Sequence, residues 1–347
     1  MGLVLGLAAV LWGLGALMKV STRARWGMIA ALYVGVLAVQ VAMPPAHPLR
    51  AALGGTPQGW AALGVAVAVV LAYRAGLGAL RRRARRPAPE PSQPGTFRPA
   101  ELDRYARHIV LREIGGPGQK RLKQARVLVI GAGGLGSPAL LYLGAAGVGN
   151  LGVIDDDIVS NSNLQRQVIH TDGRIGMPKV FSAAEAIAAQ NPFVTLRPYN
   201  RRLDEQTARA LFAEHDLILD GSDNFETRYL VNRVAAELGK PLIAAAMSQW
   251  EGQISLYDPA RGTPCYACVF PQAPAPGLAP SCAEAGVLGP LPGVMGAMMA
   301  LEAVKALTGA GEGLRGRMLI YDALQGETRI IALKRRPGCA VCGGGSA

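Results

Sequence analysis

The sequence predicts two architectures in succession: about three membrane-spanning helices, then an α/β domain built on a Rossmann-like, doubly wound mixed sheet. Three observations carry this. Three long apolar runs fill the first eighty residues. The stretch VLVIGAGGLGSPALLYLGAAGVGNLGVIDDD, residues 127–157, reads as strand, glycine turn, helix, strand and acid. A later apolar run, LILD, ends in a cluster of acidic and polar residues, as a strand does at the ligand edge of such a sheet.

The apolar runs come first. Leu3–Met18 has sixteen residues without a charge, Trp26–Met43 has eighteen, and Trp60–Leu80 has twenty-one, broken once by Arg74. A spanning helix needs ~20 residues. The second run fits, the first is slightly short, and Arg74 lies near enough to its segment's end to snorkel. Trp26, Trp60 and Tyr73 sit near segment ends, as interface anchors do. The first run lacks the basic leader and the small-x-small cleavage site of a signal peptide.

Charge sets the orientation. Of a net charge of +12, residues 1–89 supply ten Lys or Arg and no Asp or Glu, leaving +2 for the rest. A near-neutral body with a basic apolar N-terminus points to a lipid bilayer, not to nucleic acid. Residues 19–25 carry three basic residues, residues 44–59 carry one, and RRRARRP follows the third run. Basic loops stay in the cytoplasm, so the N-terminus is expected outside and the catalytic body inside. The expected divisions are a transmembrane region at 1–80, a basic Pro-rich linker at 81–98, a catalytic domain at 99–343 and a disordered tail at 344–347. The linker arginines would be drawn to anionic lipid.

Val127–Ile130 is a short apolar run, hence a buried strand. Gly131, Gly133 and Gly136 follow as G-x-G-x-x-G. The first permits a tight turn, the second lets a phosphate approach the backbone, and the third lets the helix pack on the strand. That helix ends at Gly147, and a second strand, Leu151–Ile154, delivers Asp155 where a ribose-binding acid is expected. These features alone fit NAD, FAD or ATP. Asn163, Gln165, Arg166 and then Lys179 follow the acid. An arginine and a lysine together suit a triphosphate better than a nicotinamide, because both neutralise phosphate oxygens. Asp220, Asp223 and Asn224 follow the third strand at the same edge, where a carboxylate beside phosphates would hold Mg²⁺.

The remaining elements are read more briefly. Strands are expected at Leu242–Ala246 and Gln253–Tyr257, a helix at Met295–Leu307, and a hairpin from Arg317–Tyr321 and Thr328–Leu333. Residues 271–293 read as loop. His108, His170 and His215 show no ligand spacing and read as structural.

Cys265 and Cys268, with Cys339 and Cys342, form two C-x-x-C pairs 71 residues apart. Four thiolates on two such knuckles make a closed tetrahedral Zn²⁺ site, clamping the chain's end to the domain. Cys282 stands apart in APSCAEAGVLGP, either an inert small hydrophobe or a nucleophile.

From Glu101 to Gly343 the chain resembles the MoeB/ThiF/HesA family, bacterial relatives of ubiquitin-activating enzymes. The resemblance lies in RYARHIVLREIG, VLVIGAGGLGS, AAGVGNLGVIDDD, SNLQRQ, GMPK, LDGSDNFETRYLVN, EGQISLY, CYAC, SCAEAGVLGP and GCAVCG. It implies ATP-dependent adenylation of the C-terminal glycine of a small ubiquitin-like sulfur carrier protein ending in Gly-Gly, MoaD-like, for molybdopterin synthesis. It implies that Gly131, Gly133, Gly134 and Gly136 lie at the nucleotide. Asp155 would bind ribose, and Ser162, Asn163, Leu164, Gln165, Arg166 and Lys179 the phosphates. Asp223, beside Asn224, would bind Mg²⁺. Arg107 would be lent to a partner's site in a homodimer, and Cys282 matches a cysteine that some members link covalently to the carrier. Sulfur would come from a separate desulfurase or rhodanese-type donor. The alternatives are thiamine-carrier activation, a superfamily enzyme acting on a small-molecule or RNA-borne carboxylate, a NAD-dependent oxidoreductase, and a non-catalytic membrane scaffold. Arg166, Lys179 and Asp223 speak against the oxidoreductase.

Overall fold

The computed structural model describes residues 2–84, 97–275 and 285–343. Cys282, residues 85–96 of the linker and the tail at 344–347 lie outside them. The chain divides into two units, Met1–Ala88 and Pro89–Ala347.

The first unit is helical: α1 (Gly2–Leu17), α2 (Thr22–Ala42), α3 (Pro48–Leu53) and α4 (Pro57–Ala84). Ala24–Ala42 and Pro57–Leu77 are long and apolar enough to cross a membrane; α1, at 16 residues, is shorter. Their Leu and Val side chains are largely exposed on the outer faces. Inside, Val4, Val36 and Trp60 form a small core. Trp60 is therefore not the interface anchor expected from its place in the sequence. It is 3 % exposed, and its indole N–H donates to the Gly54 carbonyl at 2.9 Å. Trp26, by contrast, is 62 % exposed. Helix α3 was not foreseen in the 44–59 loop. Pro48 stands in its first turn and His47 Nδ1 accepts from the Leu49 N–H, so two local devices start a helix too short to show periodicity.

The second unit carries the sheet. Its elements are α5 (Pro99–Ile109), α6 (Gly115–Gln124), β1 (Arg126–Ile130), α7 (Gly136–Ala146), β2 (Asn150–Ile154), α8 (Lys179–Gln190), β3 (Thr195–Tyr199), α9 (Glu205–Glu214), β4 (Leu217–Asp220), α10 (Phe225–Glu237), β5 (Leu242–Met247), β6 (Glu251–Tyr257), α11 (Tyr266–Val269), α12 (Pro290–Thr308), β7 (Arg317–Asp322) and β8 (Glu327–Ala332). The eight strands lie in the order β3-β2-β1-β4-β5-β6-β7-β8. The first five are parallel and the last three antiparallel, as expected for a mixed sheet. One core cluster joins α7, α8 and α12 to the sheet, and the other joins α9 and α10 to it. Helix α12 also has the length and apolarity of a span, but over half of it is buried in this core. It begins at Pro290, earlier than expected, because Pro290 and Pro292 fall in the first turn, where proline is tolerated.

The strand order reverses between β1 and β4. Ile130 pairs with Ile154 on one side and with Asp220 on the other. Gly131, Asp155 and Gly221 therefore leave the sheet side by side at its carboxyl edge, the place where doubly wound sheets open a ligand crevice.

Candidate active site

The glycine turn is forced by close packing. Gly131 has φ +89°, a backbone region that L side chains rarely adopt. A Cβ on Gly136 would stand 1.8 Å from the Gly131 carbonyl oxygen, so no other residue lets α7 start so near β1. Around this turn opens a cleft of about 1410 Å³.

Asp155 stands in its floor. Its Oδ2 accepts the Ala132 N–H at 2.7 Å and its Oδ1 the Asp157 N–H at 2.8 Å. A carboxylate has about four lone-pair sites, so two remain for hydroxyls. Burial raises its pKa; the Lys179 ammonium and the two N–H groups work the other way. Lys179 opens α8 with its side chain buried, and its Nζ lies 2.7 Å from Asp157 Oδ2. Only one of three ammonium donors is thereby engaged. Arg166 passes beside Gly134, and its Nη1 donates to the Ser162 carbonyl at 3.0 Å. Asp223 is exposed on the cleft wall.

Of the residues expected at a nucleotide, Gly131, Gly133, Gly134, Asp155, Arg166, Lys179, Asp223 and Asn224 line this cleft. Gly136 lies beneath the turn. Ser162, Asn163, Leu164 and Gln165 are not among the lining residues. Asn163 instead closes a 3₁₀ turn, its Oδ1 accepting the Ser160 N–H at 3.1 Å. Asn224 caps α10 by accepting the Thr227 N–H at 2.9 Å. Asp220 does not face the crevice as its strand-end position suggested. It is 1 % exposed and takes both the N–H and the hydroxyl of Ser222, at 2.9 and 2.6 Å. Arg107 is exposed on α5 and away from the cleft.

Two contributors escaped the sequence reading. Arg228 is buried on the cleft wall and donates to the Ser222 carbonyl, holding the loop that carries Asp223. Its position inside an amphipathic helix gave no sign of this. His170 is structural, as expected, but its work lies at the site. Its Nδ1 lies 2.9 Å from Ser182 Oγ and its Nε2 2.9 Å from the Ala132 carbonyl, tying the glycine turn to α8. Burial lowers its pKa. A carbonyl only accepts, so Nε2 carries the proton and the neutral ring takes the Ser182 hydroxyl at Nδ1.

Cys265, Cys268, Cys339 and Cys342 are buried, with their sulfurs all within 4.8 Å of one another. The Cys265–Cys268, Cys265–Cys339 and Cys268–Cys342 separations are 3.8, 3.7 and 3.4 Å. Zn–S bonds of ~2.3 Å place sulfurs about 3.8 Å apart on a tetrahedron, so the set fits zinc. Burial raises the Cys265 and Cys268 thiols. Burial opposes ionisation at Cys339 too, but the Cys342 and Val341 N–H groups and the neighbouring thiols bring it down to about 6.

Residues 105–341 match the ThiF family. The chain belongs to the ThiF family. A sulfur carrier protein adenylyltransferase of Thermus thermophilus is 49 % identical over 247 residues, covering 70 % of this chain and 91 % of that one. The SAMP-activating enzyme E1 of Haloferax volcanii is 49 % identical, covering 71 % and 90 %. Probable adenylyltransferase/sulfurtransferase MoeZ of Mycobacterium tuberculosis is 50 % identical, covering 68 % and 61 %. The solved structure of E. coli MccB with AMPCPP and MccA shares the fold, with a TM-score of 0.62, 23 % identity and coverage of 70 % and 74 %. The ThiF match takes in the glycine turn, Cys265, Cys268, Cys339 and every residue lining the cleft, ends one residue before Cys342, and leaves out the N-terminal helical unit.

Proposed function

We propose that this chain is an ATP-dependent adenylyltransferase that activates the C-terminal glycine of a small ubiquitin-like sulfur carrier protein for thiocarboxylate formation, in molybdopterin synthesis. The observation that carries this is Lys179 and Arg166 meeting Asp155 and Asp223 around the glycine turn in one cleft. ThiF-family relatives named adenylyltransferases, which this chain matches over most of their length, support it.

The chemistry asked of the site is in-line displacement. The carrier's carboxylate oxygen forms a bond to the α-phosphorus of ATP, and the bond to the β-phosphate oxygen breaks, releasing pyrophosphate. Two cations beside the turn neutralise charge that builds on the phosphate oxygens, and little else is required beyond positioning. Asp155 holds ribose hydroxyls. Asp223 would hold Mg²⁺, which would supply positive charge to the phosphates. The four cysteines hold a structural Zn²⁺. Arg107, exposed and not among the residues lining its own cleft, serves the site of a second copy in a homodimer. A sulfur nucleophile, from a separate donor or Cys282 itself, then opens the adenylate: a C–S bond forms at the glycine carbonyl carbon and the bond to the phosphate oxygen breaks, releasing AMP.

The test is ATP–pyrophosphate exchange with carriers ending in Gly-Gly, beside the same carriers shortened by one glycine. Exchange is expected only with the intact terminus. Equal exchange with both, or none with any carrier, rejects the reading.

The N-terminal unit anchors this enzyme in a membrane, with its catalytic domain on the cytoplasmic side. Its support is the two long apolar helices, whose described Leu and Val side chains are mostly exposed. Deleting residues 1–86 is expected to move the protein from the membrane fraction to the supernatant and to leave the exchange rate within about twofold. A truncated protein still sedimenting with washed membranes rejects the anchor.

A further inference from the structure

The cysteine cluster and the cleft meet on one helix. Asn232, on α10, is 2 % exposed. Its Nδ2–H donates to Cys265 Sγ at 3.8 Å, and its Oδ1 accepts the Tyr266 N–H at 2.8 Å. One amide thus grips both the first sulfur of the knuckle and the backbone of the next residue. Tyr266 is a cleft residue. Its ring packs among Tyr229, Tyr257 and Phe270, with centroids 5.4, 5.9 and 4.9 Å away. A second tie runs the same way: Tyr229, also on α10, donates its hydroxyl to the Phe270 carbonyl at 2.9 Å. Phe270 lines the cleft too.

At its other end α10 reaches the nucleotide wall. Asn224 caps it, and Arg228 holds the Ser222 carbonyl beside Asp223. The helix therefore connects the Asp223 loop to the knuckle through hydrogen bonds made by its own side chains.

Four thiolates around one divalent ion leave a buried net charge of −2, which needs N–H donors. The Asn232 amide is such a donor, and it comes from the cleft helix. Through this one amide a displacement of α10 would reach Cys265, and a displacement of the knuckle would reach Tyr266.

We propose that Asn232 is a positioning residue that couples metal retention at the four cysteines to nucleotide binding in the cleft. The coupling rests on the cleft being a nucleotide site, and it goes beyond the adenylation reading by giving the metal centre a say in affinity. Linkage makes it reciprocal: the factor by which nucleotide tightens metal binding equals the factor by which metal tightens nucleotide binding.

The experiment uses the full zinc-loaded chain in detergent, a colorimetric chelator that reports zinc release, and a non-hydrolysable ATP analogue. In the wild type, saturating analogue is expected to raise zinc affinity, read by equilibrium competition with the chelator, about fivefold or more, within the usual range of coupling. Asn232→Leu is expected to weaken zinc ~10–100-fold, as second-sphere changes do, and to abolish the analogue's effect. Asn232→Asp guards against misfolding. It is isosteric and still accepts the Tyr266 N–H, but it sets an anion against the thiolate, so it too should release zinc faster while keeping the wild-type circular dichroism. Wild-type zinc affinity in Asn232→Asp, or an analogue effect that survives in either variant, overturns the proposal. Analogue that binds the wild type without affecting zinc sinks the coupling alone; analogue that fails to bind sinks the adenylation reading along with it.

Discussion

Replacing Cys339 by Ser, or stripping zinc with a strong chelator, is expected to lower the melting temperature of the α/β domain by more than ~10 °C. The four sulfurs hold together segments far apart in the chain. Cys265 caps the start of α11 and Cys268 lies within it, while Cys339 and Cys342 belong to the terminal turn, where the Arg335 guanidinium also donates to the Cys342 carbonyl. Among the described residues, no strand or helix follows β8. Metal-binding energy at such a site is folding energy, and apparent values in small zinc domains reach about 10–16 kcal/mol. A domain of this size loses ~2–4 °C per kcal/mol, so even a fraction of that energy gives the expected drop. Without metal, four thiols stay buried beside N–H donors oriented for thiolates, which adds to the loss. Scanning calorimetry of the zinc-loaded protein and of Cys339→Ser checks it, with elemental analysis for zinc. Equal melting temperatures, or no zinc in the wild type, would show that the cluster is held by packing alone.

The cysteine pairs were legible because their spacing has few other uses, and the β1–α7–β2 unit because glycine, apolar strand and acid must fall in a fixed order. What was not legible has physical reasons. Strand β3, Thr195–Tyr199, lies at the sheet's edge, half-exposed and containing Arg197 and Pro198, so no apolar run marks it. Asp220 and Asp223 look alike in sequence. Only the turn after β4, which folds Ser222 back on Asp220, makes one a buried turn-former and leaves the other in the cleft. Asn163 and Asn224 show the same ambiguity. An Asn after a strand serves as readily to cap a helix as to touch a ligand, and here the side-chain oxygens of both are capping. Trp60 misled in the opposite direction, since a tryptophan near the end of an apolar run suits an interface as well as it suits a small helical core. Arg228 and Asn232 could not be singled out at all: the Ser222 carbonyl reaches Arg228 only through the turn after β4, and Cys265 reaches Asn232 only when α10 packs on the knuckle.

Lys179→Met is expected to cut carrier-dependent ATP–pyrophosphate exchange ~10²–10³-fold while leaving the fold intact. Met keeps most of the buried stem, so packing at the start of α8 changes little. The ammonium is what is lost, and it is the most deeply buried cation aimed at the turn: its side chain is 6 % exposed, paired with an Asp157 that is 68 % exposed. A buried, pre-positioned charge stabilises developing phosphate charge far better than one in solvent, and removing one such group typically costs that factor. The variant carries a second signature. Burial already raises the Asp155 pKa, and Lys179 holds it down. Ribose binding needs the carboxylate, so nucleotide affinity holds above the folded pKa of Asp155 and falls as pH drops through it. Without Lys179 that pKa rises further, so the fall begins at a higher pH than in the wild type. Titrating nucleotide affinity from pH 8 downward in both proteins separates the outcomes. A uniformly weaker variant with an unshifted profile would mean that Lys179 touches phosphate without communicating with Asp155. Undiminished exchange would mean that Arg166 alone carries the phosphate charge.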